Sequence, residues 1–193
     1  MSKPGVNAQI ATRVRELRAK RVMSLDALAE RSGVSRSMIS LIERGETSAT
    51  AVLLEKLAAG LNTTLAALFE PSASPAGPLS RKADQAVWRD PGSGYVRRNV
   101  SPGGHQTPIQ IVEVVFPPGA YVAYESGGRQ PVVHHQVWVL DGAIDVMVGD
   151  ERHALNTGDC LAFVLDRPTA YRNRTRKPAR YAVVIVAGAG VTG

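Results

Sequence analysis

The stretch SLDALAERSGVSRSMISLIERGE, residues 24–46, reads as two short amphipathic helices joined by a turn too brief to be a loop. Ser24 is a natural N-cap, since its hydroxyl can accept from a first-turn N–H, and Leu25, Leu28 and Ala29 then form one apolar face. That helix ends at Gly33, which adopts a positive φ without steric cost, and Ser35 two residues on can cap the next helix. The turn spans only about three residues, so the helices must cross at a large angle.

The second helix separates into two faces when Ser35 is set at zero and each residue advances by ~100°. Arg36, Ser37, Ser40 and Arg44 fall within about one third of the circle, while Met38, Ile39, Leu41 and Ile42 take the opposite side. A bracing helix followed closely by one with a narrow, short-chained, basic face is suited to a DNA major groove. The hydroxyls let the helix sit deep, Arg36 reaches a guanine edge or a phosphate, and Ser37 and Ser40 reach bases. Glu43, at the edge of this face, is expected to pair with a neighbouring basic residue.

Around this pair, apolar residues from Ala8 to Phe69 recur at spacings of three and four, which predicts several short helices. PSASPAGPLS, residues 71–80, has no such period and reads as a linker. Beyond it come short β-branched runs, IQIVEVVF, VVHHQVWVL, AIDVMV and RYAVVIV, separated by PPG, DG, VGDE and NTGD turns. Strands so short and evenly spaced predict a sandwich or barrel. The expected organisation is therefore an α plus β two-domain chain: residues 1–70, a linker at 71–80, and residues 81–193.

A hydrophobic fraction of 44% and a charged fraction of 21% exclude a disordered chain. The net charge of +6 suits a polyanionic partner, but residues 1–70 and 71–193 each carry half of it, so the DNA reading rests on where charges point. The single cysteine, Cys160, excludes an intramolecular disulfide and is expected to be a small buried hydrophobe. No uncharged apolar run approaches the ~18 residues of a membrane helix and the N-terminus lacks a signal-peptide core, so a cytoplasmic protein with no membrane partner is expected.

Residues 9–69 resemble the DNA-binding domain of the XRE/Cro-repressor family, with Leu28, Ala29, Gly33, Val34, Ile39 and Ile42 at its core positions. The resemblance extends over IATRVRELRAKR, TSATAVLLEKLAAGLN and TTLAALF and implies a five-helix, lambda-repressor-like domain. That family usually has proline in the loop before its fourth helix, where this chain reads GETSAT. Carried over by position, Ser24 starts the bracing helix, Ser35, Arg36, Ser37, Ser40 and Arg44 face DNA, and Thr47 approaches a phosphate. One such helix contacts few base pairs, so a homodimer on a double-stranded DNA operator is implied.

Residues 81–187 resemble a cupin, a double-sheet β-barrel, through HHQVWVLDGAIDVMVGDERHALNTGDCLAFVLDRPTAYRN and the lead-in VVFPPGAYV. Cupins normally hold a metal with three histidines and a glutamate. Here the region of the first His-x-His pair is GGRQP, the glutamate position is His135, and the histidine of the second motif is Thr169. His134 and His135 cannot both face inward from a regular strand. No metal, cofactor or catalytic residue is therefore expected. The barrel mouth is expected to be lined by His135, Thr169 and Tyr171, with Tyr121 nearby and Val137 and Val139 as apolar wall, forming a pocket for a small organic effector. The expected function is a homodimeric DNA-binding regulator. The alternatives are a cupin isomerase or oxygenase with an attached DNA-binding domain, and a constitutive regulator whose barrel only dimerises.

Overall fold

A computed structural model describes residues 5–70, 77–103, 108–125 and 132–187. Its first half contains helices α1 (Val6–Lys20), α2 (Leu25–Ser32), α3 (Arg36–Glu43) and α4 (Ala51–Gly60), followed by a 310 turn at Ala66–Phe69. The caps explain the boundaries. Ser24 Oγ accepts from the Ala27 N–H at 3.0 Å, Gly33 closes α2 at φ +66°, and Ser35 Oγ accepts from the Met38 N–H at 3.3 Å. In the proline-free GETSAT loop, α4 is capped by Thr50, whose Oγ1 accepts from the Leu53 N–H at 3.3 Å.

Among its described residues the half contains four α-helices, not the five the resemblance implied, because TTLAALF forms only the 310 turn. The segment is confined at both ends. Asn62 leaves α4 at φ +50°, and Glu70, which precedes Pro71, is extended at ψ 133°. Too few residues remain between them to propagate a helix, and Ala67 and Leu68 donate instead to Thr64 and Leu65, three residues back.

Val14, Leu28, Ile39, Leu54 and Leu57 are fully buried at the centre of the helices. The α2 and α4 helices cross closely at Gly60, where an added Cβ would lie 2.8 Å from Ser32 Cβ and 3.1 Å from Leu28 Cδ1. Val22, which follows α1, is β-branched and 95% exposed yet holds a φ of +52°.

After a 310 turn at Lys82–Asp84 come, among the described residues, ten strands: β1 (Val87–Arg89), β2 (Val96–Asn99), β3 (Ile109–Phe116), β4 (Tyr121–Tyr124), β5 (Val133–Asp141), β6 (Ala143–Val148), β7 (Glu151–Asn156), β8 (Cys160–Val164), β9 (Thr169–Arg172) and β10 (Ala179–Ala187). They form a six-stranded sheet in the order β1-β2-β3-β10-β5-β8 and a four-stranded sheet in the order β4-β9-β6-β7, with every pairing antiparallel. Strand alternation sends Val112, Val114 and Phe116 of β3, Val137 and Val139 of β5, and Tyr181, Val183 and Ile185 of β10 into the core. Asn173, fully buried after β9, pins the loop to β10: its Nδ2 donates to the Phe116 and Lys177 carbonyls at 3.1 and 2.8 Å, and its Oδ1 accepts from the Thr175 N–H at 2.9 Å. Residues 71–76 of the expected linker, and the GGRQP region, lie outside the described residues.

The helices and the barrel share one hydrophobic core. Phe69 of the 310 turn packs edge-on against Trp88 of β1, with ring centroids 5.3 Å apart. Asp90, buried in the β1–β2 turn, accepts the Ala51 N–H at the start of α4 at 2.8 Å, a favourable place for a carboxylate. Thr64 Oγ1 donates to Gln110 Oε1 at 3.1 Å, and Gln110 Nε2 donates to Glu70.

Two substitutions check these backbone constraints by urea denaturation. Val22→Asn, which tolerates the left-handed region, is expected to raise stability by about 1 kcal/mol. Gly60→Ala is expected to lower it by roughly 1–3 kcal/mol, and a neutral Gly60→Ala would contradict the close crossing.

Candidate functional site

The polar face of α3 is assembled as one surface. Arg36, Ser37, Ser40 and Arg44 border a shallow concavity together with Leu25 and Leu41. Arg36 Nε lies 3.2 Å from Asp26 Oδ1, and Arg44 grips Glu46 through two contacts of 2.7 and 2.8 Å while also donating to Ser40. The hydrogen bonds between Arg44 and Glu46 hold that carboxyl below its ordinary pKa and the guanidinium above its own. Ser24 and Ser35 both sit exposed at helix starts, and Ser35 Oγ is 3.2 Å from Ser37 Oγ. Thr47, half-buried, borders a narrow crevice with Asn7, Ile10 and Ile42.

Behind that face Glu43 turns inward. It is buried against Arg18 of α1, with Nε–Oε1 at 2.6 Å and Nη2–Oε2 at 2.7 Å, and Arg18 Nη1 also donates to the Met23 carbonyl at 2.9 Å. The bidentate bond raises the Arg18 pKa above its ordinary value despite partial burial. The basic partner expected for Glu43 thus comes from a different helix, and it fixes the end of α3 onto α1 and the turn before α2.

The barrel encloses a cavity of about 60 Å³. Of the residues expected at its mouth, His135, Thr169 and Tyr171 line it. Tyr121 does not: it is 57% exposed, because β4 points Val122 and Tyr124 inward instead. Val137 and Val139 are fully buried and pack the filled part of the barrel rather than the cavity wall. His134 is exposed on the opposite face of β5, as alternation requires. The His135 ring meets Phe163 edge-on at 5.5 Å.

Several cavity residues escaped the sequence reading. Arg97 of β2 is 6% exposed and lines the cavity, with Cζ 4.9 Å from the centre of the Phe69 ring. Tyr95 and Tyr124 bring their hydroxyls within 3.3 Å, and Tyr171 stacks on Tyr181 with centroids 6.0 Å apart. Burial raises the pKa of all four phenols and lowers that of Arg97. Glu55 of α4, Thr64 and Leu65 close the cavity from the helical side.

Comparison with known proteins agrees with both halves. A family model described as a helix-turn-helix matches residues 14–68, and one described as a cupin domain matches residues 112–186. The chain is 31% identical over 164 residues to the HTH-type transcriptional regulator SutR of Escherichia coli strain K12, covering 85% of this chain and 86% of SutR. The chain belongs to the XRE-type helix-turn-helix transcriptional regulators that carry a cupin domain. The crystal structure of a helix-turn-helix family transcriptional regulator from Vibrio cholerae superposes with a TM-score of 0.76 at 26% identity, covering 95% of this chain and 97% of that one. The cupin domain of an XRE family regulator from Enterobacter cloacae matches 49% of this chain and 97% of its own at 22% identity and a TM-score of 0.44.

As an XRE-type regulator the chain has DNA as its partner, and among the described residues no helix is long and apolar enough to cross a membrane. The side chains of the cavity do not fit a cupin metal. Among the described residues no three His, Cys, Asp or Glu side chains converge, and the region of the first family motif, GGRQP, supplies none by sequence. Cys160, expected to be buried, is exposed at the start of β8 opposite Trp138, because alternation puts it on the outer face of the six-stranded sheet.

The Arg18–Glu43 clamp predicts that Glu43→Ala, by leaving a guanidinium without its carboxylate, lowers stability by roughly 3 kcal/mol in urea melts. A loss below about 0.5 kcal/mol would show that the clamp does not anchor α3.

Proposed function

We propose that this regulator is a cytoplasmic homodimer in which residues 1–70 read a double-stranded DNA operator and residues 81–193, joined by the linker at 71–80, dimerise and sense a small organic effector without metal or catalysis. Arg36, Ser37, Ser40 and Arg44 approach the groove, Ser24 and Ser35 present helix N-termini to the backbone, and Thr47 approaches a phosphate. The observation that carries this reading is the composition of the α3 face: two exposed arginines and small hydroxyls around one concavity, with no acidic side chain among its lining residues. The carboxylates that engage those arginines, Asp26 and Glu46, are themselves more than half exposed, and exposed ion pairs of this kind contribute little. Phosphates can therefore replace them at small cost.

Dimerisation is supported by the outer face of the six-stranded sheet. Ile111 and Ile109 of β3 pair there with Val184 and Val186 of β10, and Trp138 of β5, opposite Ala182 on the same face, is 50% exposed. Glu113 and Arg180, 4.0 Å apart, add a charged pair to the same face. An apolar patch of this kind on an isolated chain suits a second copy.

The Arg36→Ala/Ser40→Ala double variant is expected to abolish the specific footprint on the operator while circular dichroism stays unchanged. An intact footprint contradicts the assigned face. Trp138→Glu is expected to convert the dimer to a monomer in sedimentation velocity. A dimer that persists at equal concentration places the interface elsewhere.

A further inference from the structure

Arg97 occupies a position that its own chain does not fully satisfy. Its Nε donates to Asn99 Oδ1 at a long 3.3 Å, one face of the guanidinium rests on Phe69, and its Nη2, buried, has no hydrogen-bond partner among the described residues. Thr169, 2% exposed, lines the same cavity and its Oγ1 also has no partner there. Two unsatisfied donors walling one cavity are costly unless something inside accepts from them. The rest of the wall is mostly apolar or phenolic, including Val114, Val183, Ile185 and Leu165, with Glu55, Thr64 and His135 as its other polar side chains.

We infer that the cavity binds a small organic monocarboxylate, with its two oxygens on Arg97 and Thr169 and its short apolar body against Val114, Val183 and Ile185. This inference rests on the effector-pocket reading above and gives that pocket its ligand class. A carboxylate accepts charge-assisted hydrogen bonds from a guanidinium, and it offers a second lone-pair site to a hydroxyl. A single negative charge is expected, because Arg97 is the one Lys or Arg among the described residues that line the cavity. Size sets the other limit: about 60 Å³ holds roughly four to six water-sized groups. Glu55, Thr64 and Leu65 belong to the helical half, so the cavity is walled by the helical half and the barrel together.

The test is thermal unfolding of the 193-residue protein with acetate through hexanoate and benzoate, each compared at matched ionic strength with its primary alcohol, its primary amine and sodium chloride, with succinate as the dianion. At least one monocarboxylate is expected to raise Tm by about 5 °C at saturation. The matched alcohol, the amine and succinate are expected to leave it unchanged. Arg97→Met, which keeps the length and removes the charge, is expected to unfold at the same or higher temperature without ligand and to weaken the carboxylate by at least about tenfold. Thr169→Val, nearly isosteric, is expected to weaken it several-fold. An equal carboxylate shift in both variants overturns the assignment of these two residues. Stabilisation by alcohols or amines but no monocarboxylate overturns the ligand class and leaves an effector pocket standing. Silence from every probe overturns both.

Discussion

The edge-on contact of Phe69 with Trp88 is the joint on which the rest of the molecule depends. Phe69 is the last residue of the 310 turn that follows the four helices, and Trp88 lies on the first strand of the barrel. From Trp88 the aromatic contacts continue through Tyr95, Phe116 and Tyr181 to Tyr171 on the opposite sheet, each pair within 5.9 to 6.3 Å. Phe69 also covers Arg97. One ring thus contributes to the helical core, to the seam and to the environment of the guanidinium. Around it, Asp90 caps α4 and Gln110 ties Thr64 to Glu70. The seam makes the orientation of α2 and α3 a property of the barrel as well as of the helices.

Such a joint is what the proposed sensing role requires. A ligand changes DNA affinity only through different interaction free energies with two arrangements of the chain. Packed aromatic interiors deform poorly, so a shift in α4 at the cavity wall is transmitted rather than absorbed. The α4 helix packs on α2 through Gly60, and α2, capped by Ser24, carries Asp26 beside Arg36. The route from cavity to α3 face is therefore short and continuous.

The helix-turn-helix was legible because its signals are local. Ser24, Gly33 and Ser35 act within a few residues of themselves, and the 100° periodicity of α3 separates its faces without reference to the rest of the chain. The short 310 turn was not legible, because TTLAALF has helical spacing and only the positive φ of Asn62 and the restriction before Pro71 cut it short. The cavity divides along the same line. His135 alternates with Val137 and Val139, so its inward orientation followed from period two. Arg97 and Arg98 are adjacent arginines in a polar run, and strand alternation says that one faces inward without saying which. Only pairing of β2 with β3, which sets Arg97 beside Val114, decides it. Tyr121 was misplaced for the same reason: β4 carries tyrosines at both ends, and the register with β9 chooses Tyr124 for the interior.

The helices and the barrel form one cooperative unit through the Phe69 seam. Native-state hydrogen exchange on the full chain measures this directly, by comparing the opening free energies of the Leu57 amide in α4 and the Val112 amide in β3. Both amides are expected to exchange only through the same global opening, and Phe69→Ala is expected to separate them. Two distinct opening free energies in the unmodified protein, with the helices exchanging first, would contradict it.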